Sequence, residues 1–293
     1  MSNKSKEFTI TYLPLLIKLT CLESVKLPDF LGSTLRGAIG WTLLSNKPLY
    51  QYLFENRRFG EGKQDIVNPY VIVPPLLPHG KYEVDDNLFF QIVLIGDAAD
   101  FAMSLIRSLI EKQNLTLGAE RKKFGISKIL HGNDLSSIWE PEQLNDPVLK
   151  TDVICSQKEE GYQHCSIQLL TPLRIRRGGE LLQNIDFSVV IRNISRRIIE
   201  LTERYGGSAN RRCMEELCER SAEIQQLCTG LEVKEIQRYS NRKKEKMGFD
   251  GLLGVLMFRG DLDPYISLLR AARVLHLGRN VTLGFGQVEV VFW

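Results

Sequence analysis

Apolar and polar residues alternate from Phe8 to Leu22, the period of a half-buried strand, and Thr, Ile, Leu and Tyr dominate the stretch. Ser33 to Leu44 follows a helical period, although Gly37 and Gly40 each weaken a helix by about 1 kcal/mol relative to Ala. Val67 to Val73 is apolar enough for a strand before Pro74 and Pro75, and the apolar run Leu88 to Ile95 suits a central strand. Ala98 to Lys112 then places Phe101, Leu105, Ile106 and Leu109 on one helical face, and Arg121 to Leu130 closes the unit as a further strand. The order is βαββαβ.

The second half repeats that order. Cys165 to Leu170 is a strand, and Asp186 to Tyr205 is a helix whose apolar stripe is Phe187, Val190, Ile191, Ile194, Ile198 and Leu201, with Arg192, Arg196 and Arg197 off the stripe. Arg211 to Cys228 reads as an extra helix stopped by Gly230, followed by strands over Leu231 to Ser240 and Gly251 to Arg259. Asp263 and Pro264 start a helix that buries Leu268, Leu269, Ala272 and Leu275 and ends at Gly278, and Gln287 to Phe292 is the last strand. The predicted fold class is α+β: two tandem ferredoxin-like, RRM-like βαββαβ modules with antiparallel sheets, spanning 1–148 and 149–293.

Composition narrows the function. The chain has 293 residues, 43% apolar and 25% charged, which suits two globular domains. No apolar run approaches the ~18 residues that span a bilayer, and MSNKSKEF lacks the apolar core of a secretory signal. A cytoplasmic protein without a membrane partner is expected. Cysteines 21, 155, 165, 213, 218 and 228 form no CxxC pair, and with four histidines they make no metal-ligand pattern, so structural thiols, no metal and no cofactor are expected. Residues 1–148 hold 16 Lys and Arg against 17 Asp and Glu, whereas 149–293 hold 22 against 18, so the second half is the better match for a polyanion.

The segment GRNVTLGFG carries the strongest chemical signal. Gly278, Gly284 and Gly286 surround Arg279 and Asn280, and glycine permits both positive φ and close backbone approach to an anion. The loop follows a helix and opens a strand, the reverse of the Walker and dinucleotide loops, so an RNA backbone fits it better than ATP or NAD.

With that loop placed, the chain resembles the RAMP superfamily, and within it the CRISPR-associated endoribonuclease that processes precursor CRISPR RNA. The likeness is carried by PDFLGSTLRGAIGW, TLGAERKKFGISKI, LLTPLRIRRGG, RYSNRKKEKMGFDGLLGVLMF and LHLGRNVTLGFG, in that order along nearly the whole chain. The resemblance implies a metal-independent enzyme that cuts within repeat RNA and leaves a 5′-hydroxyl and a 2′,3′-cyclic phosphate. The expected partners are CRISPR repeat RNA, bound across a basic cleft, and beside it a CRISPR effector complex and a second copy of the chain.

Attack by a ribose 2′-hydroxyl needs a base, an acid for the leaving 5′-oxygen, and cations or N–H groups for the phosphorane charge. His276, one residue before the glycine loop, suits a proton carrier titrating near neutral pH, and equally a structural ring that caps the helix. His79, His131 and His164 read as surface residues. Many characterised members of the resembled family place a catalytic His in or just after the first helix, yet no His occurs from Met1 to Pro78. Arg36 matches the family pattern there, as a phosphate clamp or a helix-surface ion pair. Tyr50, Tyr52 and Lys47 lie just beyond and are the alternatives for proton transfer. Arg238, Tyr239, Arg242, Lys243, Lys244 and Lys246 make a basic hairpin suited to phosphates, with Tyr239 available to stack on a base; a solvated turn is the plain alternative. Arg174, Arg176 and Arg177, and in the first module Arg121, Lys122 and Lys123, allow the same two readings. The rivals are a non-catalytic RNA-binding RAMP subunit and a protein-interacting module whose glycine loop is only a turn.

Overall fold

The computed structural model describes residues 7–55, 67–78, 80–141, 149–157, 159–240 and 245–293. The chain divides into two compact units, an N-terminal module of Thr11–Val153 and a C-terminal module of Ile154–Trp293 joined by Met1–Ile10.

The first strand, β1 (Phe8–Cys21), shows why the division falls there. Phe8, Ile10 and Tyr12 are buried at even positions, whereas Leu13, Leu15, Ile17, Leu19 and Cys21 are buried at odd ones. Because successive strand side chains point to opposite faces, the buried set changes face between Tyr12 and Leu13. The odd set enters the N-terminal core with Leu88, Phe90 and Ile92. Phe8 and Thr9 instead pair with Ala209 and Ser208 of the C-terminal module.

The N-terminal module continues with α1 (Gly32–Leu43), β2 (Tyr70–Val73), β3 (Asn87–Ile95), α2 (Ala102–Lys112), β4 (Asn114–Leu117) and β5 (Lys122–His131). Its antiparallel sheet runs β2-β3-β1-β5-β4. This is the ferredoxin-like order with β4 added as a hairpin partner of β5, a strand absent from the sequence reading. Residues 67–69 precede β2 without joining it. Gly96–Phe101 winds as a 3₁₀ turn ahead of α2, and three residues per turn rotate Phe101 off the stripe. Leu105, Ile106 and Leu109 are buried, while Phe101 is half-exposed and packs against Tyr52.

In the C-terminal module, β6 (His164–Leu173) is followed by a short hairpin of β7 (Arg176–Arg177) and β8 (Glu180–Leu181). Next come α3 (Phe187–Tyr205), capped by Asp186 Oδ1 accepting from Val189 N at 2.8 Å, and α4 (Arg211–Arg220), capped by Asn210. The remaining elements are β9 (Gln225–Lys234), the hairpin β10 (Gln237–Ser240) and β11 (Glu245–Gly248), β12 (Gly251–Arg259), α5 (Ile266–Leu275) and β13 (Val288–Phe292). The sheet order β9-β12-β6-β13 is again ferredoxin-like.

The extra helix is shorter than its local pattern predicts. It ends at Arg220, a 3₁₀ turn covers Ser221–Glu223, and residues from Gln225 onward pair with β12 from Gln225↔Arg259 to Lys234↔Gly251. Gly230 therefore lies inside a strand. Ile224, Leu227 and Cys228 fit either period, and the long-range ladder decides between them. The strand placed over Leu231 to Ser240 is in consequence two strands, split after Lys234.

Candidate nucleic-acid interface

In the C-terminal module the glycine loop begins where α5 stops. Leu268, Leu269, Ala272 and Leu275 bury that helix, and Arg197 Nε donates to the Leu275 carbonyl at 2.7 Å, satisfying an otherwise orphaned group at the helix end. Arg197 is thus buried, against its expected place off the α3 stripe; at 100° per residue it falls between Val190, Ile194 and Leu201.

His276 takes φ 60° as the C-cap and is 0% exposed, with Nδ1 3.1 Å from the Phe285 carbonyl. Burial, with Arg197 adding to it and the Phe285 bond opposing it, pulls the imidazole pKa down to about 3. The ring is neutral at physiological pH, and titration near neutrality is not what its surroundings support. Its Nε2 finds no hydrogen-bond partner among the described residues.

From His276 onward the backbone is pinned at both ends. Leu277 N donates to Gly286 O at 2.8 Å, Gly278 N to Asn193 Oδ1 at 2.8 Å, Arg279 N to Arg174 O at 2.8 Å and Gly286 N to Pro172 O at 3.0 Å. Gly286, at φ 69°, has its Cα so close to the Leu277 carbonyl that a Cβ would sit 1.8 Å from that oxygen, and Gly278 would meet the Arg174 carbonyl at 2.5 Å. The close approach predicted for these glycines is thus made first within the protein. Val281, Leu283 and Phe285 anchor the loop inward, Gly284 and Gly286 are buried, and Arg279 is the exposed residue between half-buried Gly278 and Asn280.

Arg174 lies under this loop, 7% exposed. Its guanidinium stands 4.8 Å from the Phe249 ring centroid and 6.0 Å from that of Phe285, and Nη1 donates to Asn280 Oδ1 at 3.2 Å. Its Nε has no hydrogen-bond partner among the described residues. Burial, with Arg176 and Arg279 close by, lowers its pKa, while Asp250 acts in the opposite direction. Arg176 and Arg177 are exposed on the β7–β8 hairpin. Four arginines thus collect around one loop, where a fixed anion would relieve their repulsion. Arg238 and Tyr239 lie on β10, paired with Met247 and Lys246, and Arg242, Lys243 and Lys244 lie outside the described residues. Asn193 and Phe249 were missed in the sequence. The lone Phe in NRKKEKMGFD was a usable signal; Asn193, inside an Arg-rich helix, offered none.

In the N-terminal module, Arg36 Nε donates to Tyr70 Oη at 3.1 Å and its guanidinium lies 4.8 Å from the Phe54 ring. Tyr50 and Tyr70 each stack on Phe54 at 5.4 Å, so Arg36 and Tyr50 belong to one cluster, whereas Tyr52 packs on Phe101 at 4.7 Å. Lys47 is exposed in the short helix Lys47–Tyr50. Arg121 and Lys123 are exposed and Lys122 half-buried on the turn into β5. His131, expected at the surface, is buried at the end of β5, with Nδ1 3.2 Å from Asp134 and Nε2 3.4 Å from Asp152. His164 is half-buried and stacked on Trp293, and His79 lies outside the described residues. Among the described residues no group of three or more His, Cys, Asp or Glu could hold a metal ion, and no helix is long and apolar enough to cross a membrane.

Residues 167–288, the stretch that holds β6, the four arginines and the glycine loop, match the family model described as CRISPR-associated endoribonuclease Cas6. Over that stretch the chain is similar to the Cas6 family. A second family model, described as an N-terminal domain, matches residues 10–152. Among solved structures, a Cas6 product complex is similar with a TM-score of 0.63 at 16% identity, covering 96% of this chain and 100% of that one. Thermus thermophilus Cas6 is similar with a TM-score of 0.57 at 14% identity, covering 96% and 99%. A partial Cas6-RT-Cas1–Cas2 complex is similar with a TM-score of 0.61 at 10% identity, covering 98% of this chain and 47% of that one. At these identities the likeness carries the fold. No curated protein matches the chain.

Proposed function

We propose that this protein, similar to Cas6 over residues 167–288, cuts within the repeats of precursor CRISPR RNA without a metal. The ribose 2′-oxygen bonds to the adjacent phosphorus as the bond from phosphorus to the 5′-oxygen breaks, leaving a 2′,3′-cyclic phosphate and a 5′-hydroxyl. The 2′-hydroxyl proton passes to a base, and the leaving 5′-oxygen takes one from an acid. The observation that carries this reading is the glycine loop pinned over Arg174, whose buried Nε lacks a partner among the described residues beside exposed Arg176, Arg177 and Arg279. Such a surface supports phosphate binding through charge and fixed N–H groups. Arg36, oriented by Tyr70 and Phe54, is the guanidinium offered to the pentavalent charge, and Tyr50 in the same cluster is the first candidate for proton transfer, ahead of Tyr52. A buried, neutral His276 supports a positioning role: it fixes the loop through the Phe285 carbonyl. That solved Cas6 relatives include a product complex and a substrate-mimic complex supports an RNA substrate.

The same sealed imidazole favours a second reading, a non-catalytic RNA-binding RAMP subunit. Incubation with the repeat RNA in excess EDTA separates the two. Fragments ending in cyclic phosphate are expected, and tight binding with intact RNA would establish the subunit instead.

A further inference from the structure

Among the described residues of the N-terminal module, Trp41 is the aromatic side chain left most open to water. Trp41 on α1 is 60% exposed, and Leu44, one turn further along, is exposed as well. Above the indole stands Arg121, its guanidinium 5.3 Å from the ring centroid. Arg121 sits at φ 52° on the tight turn between β4 and β5, where its amide donates to the Gly118 carbonyl at 3.3 Å. That turn is further fixed by the Glu23 carboxylate, which accepts from Lys123 N at 3.0 Å. The turn from Glu120 to Lys123 carries three cations and one carboxylate. An exposed indole, a guanidinium over its face and further cations beside it are the parts of a nucleobase platform: the ring supplies stacking, and the cations take the flanking phosphates.

Resting on the RNA reading above, we propose that Trp41 and Arg121 form a second RNA contact, which stacks one unpaired base of a single-stranded segment. The contact is indifferent to sequence, because every base offers a π-face. A protein partner suits this place less well. Trp41 and Leu44 present far less than the roughly 800 Å² per side of a standard protein interface, and the surrounding charge favours a polyanion.

The test uses the full chain and a single-stranded oligouridine of about ten nucleotides, within the span of one such groove. Titration should quench tryptophan fluorescence, and Trp41→Phe should lose most of the quench, since Trp139 and Trp293 remain in that variant. Trp41→Ala should weaken oligouridine binding about tenfold, the size of one stacked base, while Trp41→Phe should retain most of the affinity. Arg121→Ala should shallow the dependence of log affinity on log salt by about 0.7, one phosphate contact on a single strand, which Trp41→Ala should not do. Thermal melts guard against misfolding, which so exposed a side chain makes a small risk. The proposal is overturned if Trp41→Ala binds within about twofold of the wild type while Arg176→Ala with Arg177→Ala still loses affinity. In that case the RNA reading stands without the platform. A wild-type chain that binds no RNA at low salt overturns the platform and the RNA reading together.

Discussion

His276 ties one ring to the stability of the whole C-terminal module. In the unfolded chain its pKa is near 6.5, and in the folded protein it is about 3, so below pH 6.5 protons bind the unfolded state preferentially. The stabilisation is complete above the unfolded value and is lost as pH falls from about 6.5 toward 3, by up to about 1.4 kcal/mol per pH unit. Denaturant unfolding should show this loss on acidification, and His276→Gln, lower in stability at neutral pH, should flatten that part of the profile. A variant profile as steep as the wild type's would mean that another group carries the acid sensitivity. The residue's position at a helix end beside the glycine loop was legible in the sequence. Its burial was not, because that is set by long-range packing of the kind that brings Arg197 to the carbonyl of Leu275, 78 residues along the chain. Arg36 was singled out in the sequence as a candidate, while the Phe54 and Tyr70 rings that hold it were not. They join it through tertiary packing that no local spacing records.

At the level of elements, strongly periodic helices could be read directly. Both α3 and α5 carry the apolar faces expected of them, because a helix stripe is a local property. The sheet edges were harder. β4 and β9 exist because β5 and β12 offer ladders to them, and β9 in particular is mostly exposed, with little hydrophobic pattern to reveal it. The β7–β8 hairpin is short and turns at Gly178 and Gly179, so Arg176 and Arg177 stand out together. If both contact phosphates, their joint replacement by Ala should weaken repeat RNA binding and shallow the salt slope by about 1.4 to 1.8, depending on whether the contacted strand is single or paired. An unchanged slope, followed by filter binding across a salt series, would remove this hairpin from the interface.

At the level of the whole molecule, the repeated βαββαβ order was legible because each module spells it out in alternating periods. The exchange of Met1–Ile10 to the later module was visible only as a shift of alternation inside one long strand, at Tyr12 and Leu13. A fragment of residues 154–293 therefore lacks the backbone that pairs with Ser208 and Ala209 and the carbonyl of Glu7 that receives the amide of Asn210. Circular dichroism should report a lower melting temperature for that fragment than for the full chain, and a separately added peptide covering Glu7–Tyr12 should restore part of the difference. An equal melting temperature would show that the exchanged segment adds no stability.

The same exchange orders events at the ribosome. Phe8 and Thr9 leave the exit tunnel about 200 residues ahead of their partners, which are made only when translation reaches Ser208 and Ala209. Until then a ribbon of Phe8 and Ile10 waits uncovered, and a nascent chain stalled before that codon would present it to chaperones.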